Sequence, residues 1–582
     1  MHDQRNLLLA IVLSVAILFG FQMLFVPPPP PQAPASTEQT AGDSSDVPAV
    51  PGAPSADRSG VEISDGDQSA DGASITTPRV PIDTGVDGRL SGSVALLGAR
   101  LDDLVLTDYR EEVSPDSPQI TLLSPQGSAH PYFVDFGWTA NDREQANLMP
   151  GPKTLWQTTG TALTPDRPLL LTWDNGAGMT FSRTILVDRN YMFTITQTVR
   201  NNGDAPVDLM PYGLISRTDE PETLGFYILH EGPLGAFDGE LTELDYEDVR
   251  DAGTIAKSST GGWIGITDKY WLAALIPDQT AAIDTRFVYS KPKGRDKFQV
   301  DYLATAMTVP AGGEMTVTNR LFAGAKEVTL IDGYQDQYGI ILFDRAVDFG
   351  IFYYLTKPLF YVLHEIAVWF GKLGFVGNFG LSILVLTVII KLIFFPLANK
   401  SYVAMSKLKK LQPEMMKLRE AYGDDKQKMN AEVMALYKRE KANPLAGCLP
   451  ILIQIPVFFA LYKVLFVSIE MRHAPFYGWV SDLSARDPTS LFNLFGLIPF
   501  TPPDFLMIGI WPLLMGFTMF LQQKLNPAPP DPIQARVMMA LPVIFIFLFA
   551  TFPAGLVIYW TWNNVLSIAQ QWVIMRRMGV PA

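Results

Sequence analysis

Residues 375–398 read FVGNFGLSILVLTVIIKLIFFPLA, a run that is apolar almost throughout. A helix of this length can cross the hydrocarbon core of a bilayer. Lys391 interrupts the run roughly 10–12 Å from the inner helix end near Asn399, at 1.5 Å per residue. A lysine at that depth is costly and marks a candidate functional site, although its stem could also carry the ammonium group part-way to the interface.

Five other apolar segments predict further membrane spans. The segment at 1–26 is longer than the apolar core of a cleaved signal peptide and holds one basic side chain, Arg5, so we expect an uncleaved anchor, with a signal peptide as the alternative. The segment Phe552-Pro553-Ala554-Gly555 predicts a tight break inside the last apolar stretch. The six predicted spans are residues 1–26, 375–398, 447–469, 505–523, 537–552 and 553–576.

The charge distribution predicts the orientation of these spans. Residues 27–340 hold 22 basic and 44 acidic side chains, whereas residues 341–582 hold 22 basic and 14 acidic ones. The loop at 399–446 has 11 basic and 6 acidic residues, so the positive-inside rule places it in the cytoplasm. We therefore expect both termini, loop 524–536 and tail 577–582 to lie in the cytoplasm. The acidic half should lie on the outer side of the membrane. That acidity also argues against direct nucleic-acid binding.

The acidic half reads as β-structure. Residues 27–75, rich in Pro, Ala and Ser, predict a disordered linker. In residues 76–340, runs at 181–187 and 191–200 flank the turn signal Asp188-Arg189-Asn190, and apolar side chains alternate in the second run. Many short strands predict a large all-β sandwich. The segment at 341–374 is apolar but contains charged residues, so we expect an interfacial helix on the outer surface of the membrane. A second outer segment, the loop at 470–504, is expected between the third and fourth spans.

Polar side chains occur inside several predicted spans. Thr387 lies four residues before Lys391 on the same helical face, Gln454 lies in the third span, and Asn563 lies in the last. Together they predict a hydrated cavity open to the cytoplasm. No Asp or Glu lies within the apolar runs of the spans, the first of which begins at Leu7, and this disfavours a proton-coupled transporter. A single cysteine and five scattered histidines predict no metal site and no disulfide framework, and we expect no cofactor.

The basic loop at 399–446 predicts a helical hairpin. Its apolar residues recur at spacings of three and four, and a Gly-Asp-Asp break separates two helices. One interpretation is a solvated loop that obeys the positive-inside rule, and the other is a docking surface for a partner. The candidate docking residues are Lys407, Lys409, Lys410, Lys417, Arg419, Asp424 and Asp425.

Several motifs resemble the YidC family of membrane-protein insertases, in its Gram-negative form with a large periplasmic domain. These motifs are Phe395-Pro396-Leu397, Leu411-Gln412-Pro413, Met434-Ala435-Leu436-Tyr437-Lys438, Asn443-Pro444-Leu445-Ala446-Gly447-Cys448-Leu449-Pro450, Leu452-Ile453-Gln454-Ile455-Pro456 and Phe552-Pro553-Ala554-Gly555-Leu556. The resemblance implies a five-helix insertase core, a galactose-mutarotase-like sandwich in the periplasm and a location in the bacterial inner membrane. Residues 487–505 are longer than in the family, and the sequence suggests no role for them.

The resemblance also implies roles for particular residues. Lys391 aligns with the positive charge of a hydrophilic groove, where the well-known Gram-negative form has arginine; the charge is kept but the bidentate hydrogen bonding is not. Thr387 and Trp560 align with positions that contact the client helix, Trp560 in place of a tyrosine. The implied partners are nascent membrane-protein clients, the Sec translocon, the SRP receptor, the ribosome and membrane lipids.

Three functional hypotheses follow. The favoured one is an insertase and chaperone for nascent inner-membrane proteins, which is not an enzyme. A secondary transporter with an extracytoplasmic binding domain is the alternative, and the lack of inverted repeats counts against it. The third is a membrane-anchored carbohydrate-active enzyme whose working part is the sandwich.

Overall fold

The computed structural model describes residues 77–579, apart from 86–87, 224–228, 376–377, 423–424, 441–448, 501, 504–505 and 527–531. The predicted N-terminal anchor and linker, residues 527–531 of loop 524–536 and the last three residues of the tail lie outside the described residues. The described chain consists of an N-terminal β-sandwich followed by a set of helices.

The sandwich is built from antiparallel strands in two sheets, which confirms the predicted all-β architecture. The strands are β1 (Arg79–Asp83), β2 (Leu90–Ala95), β3 (Leu101–Arg110), β4 (Gln119–Leu123), β5 (Tyr132–Thr139), β6 (Leu169–Asp174), β7 (Met179–Val187), β8 (Met192–Asn201), β9 (Val207–Thr218), β10 (Gly232–Phe237), β11 (Glu240–Glu243), β12 (Thr254–Thr260), β13 (Trp263–Thr267), β14 (Trp271–Ile276), β15 (Ala282–Ser290), β16 (Lys297–Ala304), β17 (Met307–Val309) and β18 (Glu314–Ala325). The first sheet has the order β1-β2-β3-β5-β9-β16-β15-β12, with β4 beside β3 and β17 beside β9, and the second has the order β11-β10-β13-β14-β18-β8-β7-β6.

The hairpin β7–β8 forms where the alternating pattern predicts it. The Asp188 carboxylate accepts hydrogen bonds from the backbone N–H groups of Asn190 (2.8 Å) and Met192 (3.0 Å), which closes the turn. Along β8 the alternate residues Phe193, Ile195 and Val199 are buried in the core between the sheets. Period-two alternation thus fixes which face of the strand packs inward.

Eleven helices accompany and follow the strands within the described residues. They are α1 (Arg143–Asn147), α2 (Tyr246–Ala252), α3 (Val328–Tyr338), α4 (Tyr353–Lys372), α5 (Asn378–Ile393), α6 (Phe395–Tyr422), α7 (Lys426–Arg439), α8 (Leu449–Val467), α9 (Ile510–Leu525), α10 (Pro532–Phe549) and α11 (Ala554–Arg577). Helix α4 buries Phe360, Leu363 and Ala367 on one face and packs against α5 and α8. This amphipathic pattern is compatible with the predicted interfacial helix.

The helices following the sandwich differ in length and in hydropathy. By length and hydropathy, none of the described helices alone meets the requirement for a span, whereas α5 and α6 meet it as a pair bent by 69°. The predicted break in the last apolar stretch is present, because α10 ends at Phe549 and α11 begins at Ala554. The backbone N–H groups of Ala554 and Gly555 donate to the carbonyls of Ala485 (2.7 Å) and Leu483 (2.9 Å), so the outer loop is held against the start of α11.

A buried carboxyl group joins the helices to the sandwich. Glu470, in a 3₁₀ turn just after α8, accepts a hydrogen bond at Oε1 from the backbone N–H of Val328 (3.1 Å), the first residue of α3. This bond satisfies one of the free N–H groups that every helix start presents. Nearby, the Arg472 guanidinium donates to the carbonyls of Arg110 (2.5 Å) and Glu111 (3.1 Å) at the end of β3. Lys463 of α8 pairs with Asp348 at 2.7 Å.

This joint predicts a pH dependence of stability. Burial raises the pKa of Glu470 from 4.5 to about 7. Because the folded value is the higher one, the stabilisation is complete below the unfolded pKa and is lost as pH rises towards 7. The loss amounts to at most about 3 kcal/mol at 1.36 kcal/mol per unit. We expect Glu470→Gln, which keeps the acceptor, to remove this part of the pH dependence.

The measurement is the thermal unfolding of the full chain in detergent between pH 5 and pH 8. Wild type should lose stability relative to Glu470→Gln as pH rises, while Glu365→Gln, at an exposed position on α4, should follow wild type. Parallel pH profiles of wild type and Glu470→Gln would contradict the assignment.

Candidate functional site

A chain of polar side chains crosses the space between three helices. Lys391, in the last turn of α5, donates from Nζ to the Ser567 hydroxyl of α11 at 2.7 Å. Ser567 in turn donates to the backbone carbonyl of Asn563 at 2.7 Å, one turn earlier. The Asn563 side-chain oxygen accepts from Gln454 Nε2 of α8 at 2.7 Å. Three residues that the sequence singled out, Lys391, Gln454 and Asn563, are therefore brought together.

Two spaces adjoin Lys391. A small cavity of about 40 Å³, also lined by Tyr402 and Gln454, has room for one or a few waters. On the other side, a crevice of about 560 Å³ opens between α5, α6 and α11. Asn399, Gln570 and Arg577 line this crevice together with apolar side chains. The Lys391 ammonium thus lies beside an open, mixed polar and apolar surface, which suits contact with an anionic or polar segment.

The two predicted client-contact residues occupy different environments. Thr387 is 1% exposed, and its hydroxyl donates to the Ile383 carbonyl one turn earlier at 2.6 Å. Trp560 lies between aromatic rings of two other helices, with centroid distances of 4.6 Å to Phe458 of α8 and 5.1 Å to Phe549 of α10. In this conformation Thr387 is part of the packing between helices, whereas Trp560 is partly exposed within an aromatic cluster.

The basic hairpin is formed by α6 and α7. The Tyr437 hydroxyl of α7 donates to the Met415 sulfur of α6 at 3.4 Å, and Arg439 pairs with Glu414 at 3.0 Å across the hairpin. Asp425 caps α7 by accepting from the Lys428 N–H at 3.0 Å.

The hairpin residues predicted to dock a partner differ in their exposure. Lys407, Lys410 and Lys417 are exposed, and Lys409 is half-buried. Lys410 donates to the carbonyl of Met578 at the end of α11 at 2.8 Å. Asp424 and the Arg419 side chain lie outside the described residues.

Ser567 and Arg577 are site residues that the sequence reasoning missed. A signal for Ser567 was present, because it lies four residues after Asn563 and so shares a helical face with it. Arg577 is the first residue of the predicted tail 577–582, and no signal in the sequence assigns it to the site. No group of three or more His, Cys, Asp or Glu side chains that could hold a metal ion occurs in the part of the chain that the structure describes.

Comparison with known proteins identifies the family of the chain. The model of the YidC periplasmic domain matches residues 79–362, and the model of the 60Kd inner membrane protein matches residues 370–580. The membrane protein insertase YidC of Granulibacter bethesdensis is 50% identical, with 100% of this chain and 99% of that protein covered. The chain belongs to the YidC family. This is a family of inner-membrane insertases with a periplasmic domain, not of enzymes, which favours the insertase hypothesis over the other two.

Solved structures give weaker likenesses. The crystal structure of an active YidC insertase with its first transmembrane domain resolved is 17% identical, with a TM-score of 0.34, and covers 85% of this chain and 94% of its own. A galactose mutarotase-like protein from Lactobacillus casei is 11% identical, with a TM-score of 0.30, and covers 42% of this chain and 99% of its own. The galactose-mutarotase-like topology stays a prediction, and the β-sandwich is the periplasmic domain of this YidC family member.

The amide pair that joins α8 to α11 should be energetically coupled. We expect Gln454→Leu and Asn563→Leu each to destabilise the helical part, because each leaves the other amide without its partner. A double-mutant cycle should give a coupling of about 0.6–2 kcal/mol, the range for hydrogen bonds between membrane helices. Unfolding in SDS measures it. Asn564→Leu is the control, because Asn564 bonds Thr518 instead at 3.3 Å; equal coupling of Gln454 to both asparagines would refute the pairing.

Proposed function

We propose that this YidC family member inserts nascent membrane proteins by admitting their polar segments to the crevice beside Lys391. The observation that carries the proposal is the chain Lys391–Ser567–Asn563–Gln454, which presents a cation and polar groups next to an open crevice. Moving a polar segment into hydrocarbon costs several kcal/mol for each polar group that is left without a hydrogen-bond partner. Polar side chains along the crevice lower that cost.

The steps follow from this geometry. A polar N-terminal or loop segment of the client enters from the cytoplasm and is attracted by the Lys391 ammonium. The client's apolar helix then leaves sideways into lipid, because the crevice is open and its rim is apolar at Leu392 and Phe395. Burial of that helix supplies the free energy. The membrane potential adds ~2.3 kcal/mol per charge per 100 mV for acidic client residues.

The topology we propose has six spans with both termini in the cytoplasm. Helices α5 and α8 to α11 form the five-helix core, α4 lies on the periplasmic surface, and the anchor at 1–26 is the first span. Its support is the charge asymmetry of the loops and the match of residues 79–362 to a periplasmic domain.

The cytoplasmic hairpin is proposed as a docking surface. Its exposed residues Lys407, Lys410 and Lys417 form a basic face suited to acidic partners or to anionic lipid headgroups. The ribosome, the SRP receptor and the Sec translocon are the partners we propose, on the strength of the family. The hairpin stays close to the core, because Lys410 bonds the end of α11.

Substitution of Lys391 tests the role of its charge. Lys391→Ala should slow client insertion by about tenfold or more, because a hydrogen bond to a charged group is worth ~1.5–3 kcal/mol. Lys391→Glu should be slower still, and Lys391→Arg should be close to wild type. Insertion rates in proteoliposomes measure these effects. Lys372→Ala, at an exposed lysine outside the crevice, is the control. Normal rates for both Lys391→Ala and Lys391→Glu would exclude a role for the charge.

Photocrosslinking during synthesis tests the path of the client. Probes at Leu392 and Gln570, which both line the crevice, should capture the first span of a client on stalled ribosomes and lose it on release. A probe at Thr387 should capture less, because that position is buried between helices. Leu170, exposed on the sandwich, is the control position. A folded protein that gives no crosslink from either crevice position would contradict the proposed path.

A further inference from the structure

The outer loop between α8 and α9 carries an apolar tip. Residues 488–503 contain no charged side chain and no histidine. Seven large apolar side chains within residues 488–503 are exposed, and Leu497 is the most exposed of them at 83%. They are Leu491, Phe492, Leu494, Phe495, Leu497, Ile498 and Phe500. Contiguous apolar surface of this kind on a folded protein marks a site of contact with a membrane or a partner.

The tip has a defined conformation, because hydrogen bonds fix its neck, the residues around Asp487. The Asp487 carboxylate accepts hydrogen bonds from Trp479 Nε1 (3.0 Å), the Thr489 hydroxyl (2.6 Å) and the Trp511 backbone N–H (2.9 Å). These bonds hold the neck against the first turn of α9. The Leu491 N–H donates to the Ile508 carbonyl at 2.9 Å, which closes the base of the loop.

Backbone conformation keeps the apolar side chains outside. Leu494 and Phe495 both have positive φ, 48° and 59°, in the left-handed region that bulky side chains rarely adopt. Hydrogen bonds from Phe495 N–H to the Ser490 carbonyl (2.8 Å) and from Ile498 N–H to the Asn493 carbonyl (3.1 Å) maintain this conformation. The backbone of the tip is thus held in an unfavourable conformation in which these side chains are exposed.

Lipid is the occupant that fits this surface. Helix α9, which follows the tip in the chain, also has exposed apolar side chains, among them Leu514 and Phe517. Trp479 and Trp511 lie at its neck, as tryptophans do at the interface of a membrane. A protein interface normally has a polar rim around its apolar core, whereas the tip itself carries no charged group.

We propose that residues 491–500 insert into the periplasmic leaflet of the inner membrane and anchor the start of α9 at the level of the acyl chains. The choice of leaflet rests on the topology proposed above. Through Asp487 the inserted tip fixes the depth of α9, which packs against α11 of the polar chain. The loop is thereby a lipid anchor for the helical core.

Spin labels measure this insertion directly. Leu497→Cys is labelled in the full chain, in a Cys448→Ser background, and reconstituted into vesicles of phosphatidylethanolamine and phosphatidylglycerol. Collisions with oxygen and with a water-soluble nickel complex are compared. Leu497→Cys should lose its nickel collisions to the level of Phe517→Cys, a lipid-facing control that is 59% exposed on α9. Leu155→Cys, 54% exposed on the sandwich, should keep them.

The outcomes separate this proposal from the topology. If Phe517→Cys meets oxygen and Leu497→Cys meets nickel like Leu155→Cys, the spans stand and the lipid anchor is wrong. If Leu497→Cys is shielded from both reagents, protein covers the tip and the anchor is again wrong. If Phe517→Cys itself meets nickel, α9 is not in lipid and the proposed topology fails. A second label at Ile498→Cys guards against a local defect and should report the same depth.

Discussion

An ammonium group among apolar helices is the constraint on which the helical half depends. Lys391 needs acceptors that the apolar side chains around it lack, and Ser567, 176 positions further along the chain, supplies one. Ser567 and Asn563 share a face of α11, so the same rotation of that helix brings Asn563 to Gln454 of α8. The orientation of α5, α8 and α11 is therefore specified by polar contacts as well as by apolar packing.

Local patterns in the sequence predicted much of the fold. The alternation in β8, the Asp188 turn and the break before Ala554 depend on neighbouring residues, so each was readable. The structure also brings Lys391, Gln454 and Asn563 close together, whereas the hydrated cavity and the roles predicted for them stay predictions. The family assignment rests on the whole chain.

Individual contacts between segments that are far apart in the sequence could not be predicted from it. The spacing from Asn563 places Ser567 on the same helical face, but only the packing of α5 against α11 gives it Lys391 as a partner. Thr387 shares the face of Lys391 by spacing, yet its hydroxyl is taken up by its own helix, as threonine often does in membrane helices. Spacing predicts a shared face, but it does not predict which neighbour covers that face.

The Glu470 joint has a consequence for the order of assembly. Val328 and its acceptor Glu470 are 142 positions apart, and Arg472 reaches a strand end 361 and 362 positions earlier. During synthesis the sandwich strands therefore emerge long before the groups that complete them. The Val328 N–H at the start of α3 lacks this acceptor until α8 and the turn after it have been made and placed. Maturation of the extracytoplasmic domain is thus tied to the chain's own membrane integration.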